Sequence, residues 1–188
     1  PMLQLETPRL LLRPFVPEDL AALRQTLGDP QVMYAWEHGF SDEEVAGWIS
    51  RNRQRYAQEG MGYLAAVERQ TGELVGSIGL AREQLPGEVA ACLGYILRRD
   101  RWGRGLAREG AAAWLGYAFR ELGEPQVAAD IRPENLASIR VAQALGMEPE
   151  GLFDKWYRGR PLPHRIYRLT AAAYQARQRK EGTFDENF

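Results

Sequence analysis

The sequence predicts a mixed α+β fold: a seven-stranded, mostly antiparallel sheet in which one long helix crosses over to a parallel strand. Three observations carry this. Apolar residues alternate with period two through three consecutive segments of residues 61–97, helical spacing takes over across 106–122, and a short apolar strand follows at 126–131. With 188 residues, 45% of them hydrophobic and 26% charged, the chain carries enough apolar mass for one core. A single domain is expected over residues 1–180, and residues 181–188, which lack any period, are expected to form a flexible tail.

The opening strand is Leu10, Leu11 and Leu12, closed by Pro14 and Pro17, which cannot donate to a ladder. Leu20, Leu23 and Leu27 then keep helical spacing up to the stop signal Gly28-Asp29-Pro30, with Glu18-Asp19 ahead of them as a solvated face. Ser41 with Glu44 three residues on is a capping box, and Val45, Trp48, Ile49, Asn52 and Tyr56 continue the second helix along one face to Gly60. Strands follow at 61–67, 74–80 and 89–97, joined by turns at 70–73 and Pro86-Gly87. The long helix ends at Gly123, and a further helix runs over 135–145, stopped by Gly146. Strands at 151–158 and 165–169 complete the sheet, and 171–180 has the composition of a last helix.

Twenty-four basic residues face twenty-five acidic ones, for a net charge of −1. The field of a dedicated nucleic-acid or membrane-surface binder is therefore missing, and an anionic ligand must be held locally. No run reaches the length of a membrane-spanning helix. The single cysteine, Cys92, excludes an internal disulfide and suits a reducing, cytoplasmic setting. It reads as a small core residue, which disfavours an acyl-cysteine route. His38 and His164 lack the spacing of a metal pair, so no metal is expected.

The most informative segment is Arg-Arg-Asp-Arg-Trp-Gly-Arg-Gly-Leu-Ala-Arg at 98–108, between a strand and the longest helix. Gly103 and Gly105 leave the backbone approachable, and the amides of Gly105, Leu106, Ala107 and Arg108 precede the first intrahelical bond. The helix dipole places about half a positive charge there, so a phosphate or pyrophosphate is the natural ligand, with Arg104 and Arg108 adding charge. The alternative is a plain loop with glycines for turning and arginines for solubility. A Walker A loop would need Lys-Ser or Lys-Thr after the second glycine, where Leu106-Ala107 stands. A dinucleotide fingerprint would need glycine at Arg108, and one crossover helix is too few for a doubly wound sheet.

The ordered motifs Glu6-Thr7-Pro8-Arg9-Leu10-Leu11-Leu12-Arg13-Pro14, Thr71 through Leu80, Leu93-Gly94-Tyr95 with Trp102-Gly103-Arg104-Gly105-Leu106-Ala107, and Arg132 through Ser138 with Leu145-Gly146-Met147 resemble the GNAT acetyltransferases, in particular their RimJ/RimL-type N-acetyltransferases. The resemblance covers nearly the whole chain. It implies that the anion cradle takes the pyrophosphate of acetyl-CoA, the cosubstrate. It also implies a splay between the fourth and fifth strands, where the pantetheine arm pairs with the backbone of Tyr95, Ile96 and Leu97, and helices on both faces of the sheet. Family members often form homodimers, so a homodimer is a further expectation.

Acetylation of an amine needs a neutral nitrogen, a stabilised oxyanion and a proton for the departing thiolate. An α-amine, with a pKa of roughly 7.7 to 8.0, needs less help than a lysine at about 10.4, which favours a peptide or protein N-terminus as acceptor. By the resemblance, Ser138 stands as the acid for the thiolate and Asn135 as a holder of water or pantetheine; both also suit simple helix capping. The acidic residue that often precedes Leu-Gly-Tyr in this family is replaced by Cys92, which leaves the base unassigned. Trp36 and His38, in the connection between the first two helices, are candidates to contact the acceptor, and aromatic packing accounts for them equally. A small-molecule amine (an amino acid, a polyamine or an aminoglycoside) keeps every donor-site argument, and a catalytically silent acyl-CoA-binding module is the alternative from another class.

Overall fold

The computed structural model describes residues 3–186. Its elements in chain order are β1 (Leu5–Glu6), β2 (Leu10–Arg13), α1 (Leu20–Leu27), α2 (Asp42–Glu59), β3 (Tyr63–Glu68), β4 (Leu74–Leu85), β5 (Glu88–Leu97), α3 (Leu106–Arg120), β6 (Gln126–Ile131), α4 (Leu136–Ala144), β7 (Glu148–Tyr157), β8 (Arg160–Thr170) and α5 (Ala171–Glu186). The mixed α+β class stands, with eight strands among the described residues where the sequence predicts seven. The added strand, β1, has only two residues, too few to show a period. Helix α5 continues to Glu186, through much of the expected tail; residues 187–188 of that tail lie outside the described residues. No helix among the described residues is long and apolar enough to cross a membrane.

The chain divides into two compact units. The first comprises Pro1–Ala81 and Leu93–Trp114. Its strand order is β1-β2-β3-β4-β5, and the ladders from β1 to β4 are antiparallel, with Leu10 opposite Glu68 and Ala65 opposite Ser77. Helix α2 starts as its capping box predicts: Ser41 Oγ accepts from Glu44 N at 3.2 Å, and Glu44 Oε1 accepts from Ser41 N at 3.0 Å. The helix lays Val45, Trp48 and Ile49 into a core with Phe15, Leu23, Leu27, Met33, Tyr63 and Ile96. Two buried polar contacts fix its register on the sheet: Trp48 Nε1 donates to Ser77 Oγ at 3.1 Å, and Asn52 Oδ1 accepts from Tyr63 N at 2.8 Å. Asp19 is no solvated face; it is 7% exposed and receives both Arg13 nitrogens at 2.9 Å.

The second unit comprises Arg82–Cys92 and Leu115–Phe188, with strand order β5-β6-β8-β7. Strand β5 pairs with β6 in parallel at one register pair, Cys92 opposite Ala128, as a splayed junction requires. Strands β6 and β8, and β7 and β8, are antiparallel. The last two strands are longer than their sequence signal. Pro161 and Pro163 break the pattern, but the ladder from β6 reaches β8 only from Arg165 onward, so both prolines lie where β8 is paired on one side alone. The hairpin closes through Arg158 and Gly159, both at positive φ (53° and 78°), the backbone of a two-residue turn that follows the twist of its strands. Strand β4 also outruns its predicted end at Leu80: Arg82 and Gln84 point outward and Glu83 and Leu85 inward, so polar alternation continues the strand.

Candidate functional site

The strand-to-helix segment of the first unit is built as its glycines foretell. Gly103 and Gly105 have φ of 75° and 78°, and a Cβ at Gly103 would meet no atom within 4 Å. The left-handed backbone, and not crowding, is what reserves these positions for glycine. The first bond of α3 runs from Glu109 N to Gly105 O at 3.0 Å, so the amides of Leu106, Ala107 and Arg108 lie ahead of it at the positive end of the helix dipole.

The arginines of this segment divide into two groups. Arg101 forks onto Glu68 at 3.0 Å through two nitrogens and reaches Glu73 at 2.8 Å, and these carboxylates raise its already high pKa. Arg98 pairs with Asp100 at 2.7 Å, and Arg99 with Asp29 at 2.9 Å and Gln31 at 2.6 Å. These three hold the loop in place. Arg104 and Arg108 are exposed, and no hydrogen bond or ion pair engages either side chain among the described residues. Sequence spacing alone does not separate the two groups; apart from Asp100, two residues from Arg98, the partners named here sit tens of residues away.

A clamp on α3 escaped the sequence reading. The Glu109 carboxylate takes bonds from Arg9 Nε at 2.8 Å, from Arg9 N at 2.9 Å and from the Thr7 hydroxyl, while Arg9 Nη1 donates to Arg104 O at 2.8 Å. Burial works to raise the pKa of Glu109, but the Thr7 and Arg9 bonds outweigh it and the value falls below the ordinary one. The only available hint was the motif Thr7-Pro8-Arg9 itself, since its partner is about 100 residues on in the chain.

On β5, Tyr95 is half-buried while Ile96 and Leu97 are 6% and 7% exposed. A Cβ on Gly94 would overlap the Tyr63 ring, so a bare backbone is required there. Trp102 is 48% exposed, and its Nε1 donates to Leu97 O at 2.9 Å, which engages one carbonyl of the stretch expected to pair with pantetheine. Trp36 packs edge-on against Phe40 and Trp48, with ring centres 6.2 Å apart in both cases. His38 bonds the Trp36 carbonyl through Nδ1 at 2.9 Å and Glu44 through Nε2 at 2.8 Å. Both rings thus anchor the connection to the start of α2. The Ser41 amide, and then His38, hold the Glu44 carboxyl below its ordinary pKa.

In the second unit, Asn135 caps α4: its Oδ1 accepts from Ser138 N at 3.2 Å. The cap places the two side chains expected to act on the thioester beside each other, with Ser138 half-buried. A cluster not singled out from the sequence lies among the strands of this unit. The donor atoms of Glu83 (β4), Cys92 (β5) and Asp130 (β6) lie within 4.8 Å of one another. Lys155 of β7 sets its Nζ 2.7 Å from Asp130 Oδ2 and 3.6 Å from Glu83 Oε2. Burial pushes the Glu83 carboxyl up to about 7, helped by the neighbouring Asp130 charge and opposed by Lys155. Burial also pushes the Cys92 thiol far above its ordinary value, so it stays protonated. Burial opposes the charge on Lys155, but Asp130 and Glu83 outweigh it and its pKa rises. His164, 6% exposed with Nδ1 on Leu162 O at 2.8 Å, is held neutral mainly by burial.

Comparison with known proteins identifies the family. A model of the acetyltransferase (GNAT) domain matches residues 9–148. The Bacillus subtilis (strain 168) protein YkkB is 35% identical over 155 residues, which cover 81% of this chain and 90% of that protein. The N-acetyltransferase YnaD of the same organism, its substrate unassigned, is 30% identical over 154 residues, covering 81% and 87%. A solved structure from Vibrio cholerae, named as a candidate ribosomal-protein-serine acetyltransferase, superposes with a TM-score of 0.76 at 26% identity, covering 89% of this chain and 97% of that one. With the family model spanning the opening strand, the glycine cradle and α4 alike, the chain belongs to the GNAT acetyltransferases and is an N-acetyltransferase.

Proposed function

We propose that this N-acetyltransferase moves the acetyl group of acetyl-CoA directly onto the α-amine of a peptide or protein N-terminus, in a ternary complex and without a metal. The observation that carries the donor half is the pair of exposed arginines, Arg104 and Arg108, around left-handed Gly103 and Gly105 at the start of α3. Backbone amides and guanidinium groups together suit a pyrophosphate, and the loop leaves nothing within 4 Å of a Cβ at Gly103 to obstruct it. The backbone of Tyr95 and Ile96 takes the pantetheine amides in the manner of an added strand. The Leu97 carbonyl, already bonded by Trp102, is left out of that pairing.

At the reacting end, the resemblance gives Ser138 the proton for the thiolate. Because Asn135 spends its Oδ1 on the helix cap, its amide NH2 is the part available to a water or to pantetheine. The N-terminal acceptor is supported by the low basicity of α-amines, and the name of the Vibrio cholerae neighbour supports a protein as acceptor.

Thiol release from acetyl-CoA across N-terminal peptides, polyamines and aminoglycosides tests this reading. Turnover on peptides, with little on the other two groups, is the expected result. Turnover only on a small amine replaces the acceptor, and tight binding of acetyl-CoA with no turnover on any amine makes the protein an acyl-CoA-binding module instead.

A further inference from the structure

Resting on that reading, we infer that Arg9 is a further ligand for the diphosphate of the donor, and that it makes the protein select an acetyl group borne on CoA over one borne on pantetheine alone. Every residue in this arrangement belongs to the first unit. Arg9 lies just ahead of β2, 95 residues before Arg104 in the chain. Its guanidinium nevertheless reaches the start of α3: the one atom within 4 Å of a Cβ placed on Gly105 is Arg9 Nη2, at 3.5 Å. That corner of the guanidinium therefore stands at the glycine from which the amides of Leu106, Ala107 and Arg108 follow.

The side chain is fixed before any ligand arrives. On the main chain, Arg9 O accepts from Arg69 N and Arg9 N donates to Glu109 Oε2, each at 2.9 Å. On the side chain, Nε donates to Glu109 Oε1 and Nη1 to Arg104 O, each at 2.8 Å. These bonds engage two corners of the planar fork and present the third, Nη2, to Gly105. The Arg9 side chain keeps 48% of its surface open, so a ligand can reach it. A long side chain ordinarily loses rotamer freedom when a ligand binds, and here folding has already imposed that loss, which favours tight binding.

The charge of Glu109 gives Arg9 a second task. Glu109 stands in the first turn of α3, where its carboxylate competes with a phosphate for the positive end of the helix. Arg9 pairs with that carboxylate through Nε and returns a positive edge on the side where Gly105 lies. Arg101 cannot take this place, because its fork is laid on Glu68 and Glu73. Acetyl-CoA carries a diphosphate that such an edge recognises through charge-assisted hydrogen bonds, and S-acetylpantetheine carries no phosphate. Arg9 thus acts on donor choice and takes no part in the proton transfers at the thioester.

The test compares two donors on the full chain: acetyl-CoA, followed by calorimetry, and S-acetylpantetheine, supplied at millimolar concentration and followed by ligand-observed NMR. Wild type should bind acetyl-CoA much the more tightly. Arg9→Met keeps the apolar stem without the guanidinium, and should weaken acetyl-CoA by about thirtyfold while S-acetylpantetheine binds as before. A merely structural role would weaken both donors by the same factor, so the readout is the ratio of their dissociation constants, with a melt of the unliganded variant to check that it folds. Where Arg9→Met does not fold, Arg9→Lys replaces it. A lysine ammonium can hold Glu109 or the ligand but cannot fork onto both, so the ratio should still fall, by about tenfold. A ratio within threefold of wild type in a folded variant overturns the role of Arg9 and leaves the acetyltransferase reading intact. A wild type that binds both donors equally well overturns the diphosphate cradle itself.

Discussion

Glu83 connects stability to pH in a direction opposite to the usual carboxylate. Its pKa is raised from 4.5 to about 7 by folding, so the folded chain holds that proton more tightly than the unfolded one. The stabilisation is complete below pH 4.5 and is lost as pH rises through 7. Thermal melts from pH 5 to 8 should therefore show wild type losing more stability than Glu83→Gln, which has no proton to lose. Cys92 gives a second check at this scale: 2% exposed and with its thiol held protonated, it should resist alkylation by a maleimide in the native protein and react only on unfolding. At Gly105, alanine would find only Arg9 Nη2 at 3.5 Å, so the cost of Gly105→Ala is backbone strain at φ 78°, about 1–2 kcal/mol. A melt gives that cost, and calorimetry should show weaker acetyl-CoA binding because the amides after it are re-aimed.

Elements carry their own signatures. The capping box of α2 is complete, and His38 also leans on its Glu44, so Ser41→Ala should destabilise the chain by about 1 kcal/mol in urea unfolding. Helix α3 is tied at its first turn by Glu109 to Thr7 and Arg9. Glu109→Gln keeps the shape of that side chain and removes the charge that Arg9 pairs with. Amide exchange should then quicken in the first turn of α3, while the far end of the helix, around the buried Trp114 whose Nε1 donates to Ile78 O at 3.0 Å, stays protected. The strands were less legible than the helices. Helix starts are written locally in Ser41 and Glu44, but β4 continues past Leu80 through Arg82, Glu83 and Gln84, a stretch whose polar alternation carries no apolar run to mark it as strand.

For the molecule as a whole, a net charge of −1 means that attraction for an anionic ligand must be local. Replacing Arg104 and Arg108 together by alanine should weaken acetyl-CoA binding by about a hundredfold, two charge-assisted contacts' worth, and flatten its dependence on salt. Acetyl-CoA at a hundred times its Kd should stabilise wild type by about 2.7 kcal/mol, and that gain should shrink in the double variant. The sequence by itself determined the α+β class, the order of the main elements, the glycine turn ahead of α3 and the cap at Asn135, because periodicity, caps and turns act over a few residues. Only the tertiary structure decided which arginines are spent on ion pairs, that Arg9 clamps Glu109, and that Glu83, Asp130 and Lys155 share one cluster. Those pairings join strands and loops far apart in the chain, and a carboxyl's proton affinity depends on the water it loses and the charges it gains, neither of which is visible until the strands are side by side.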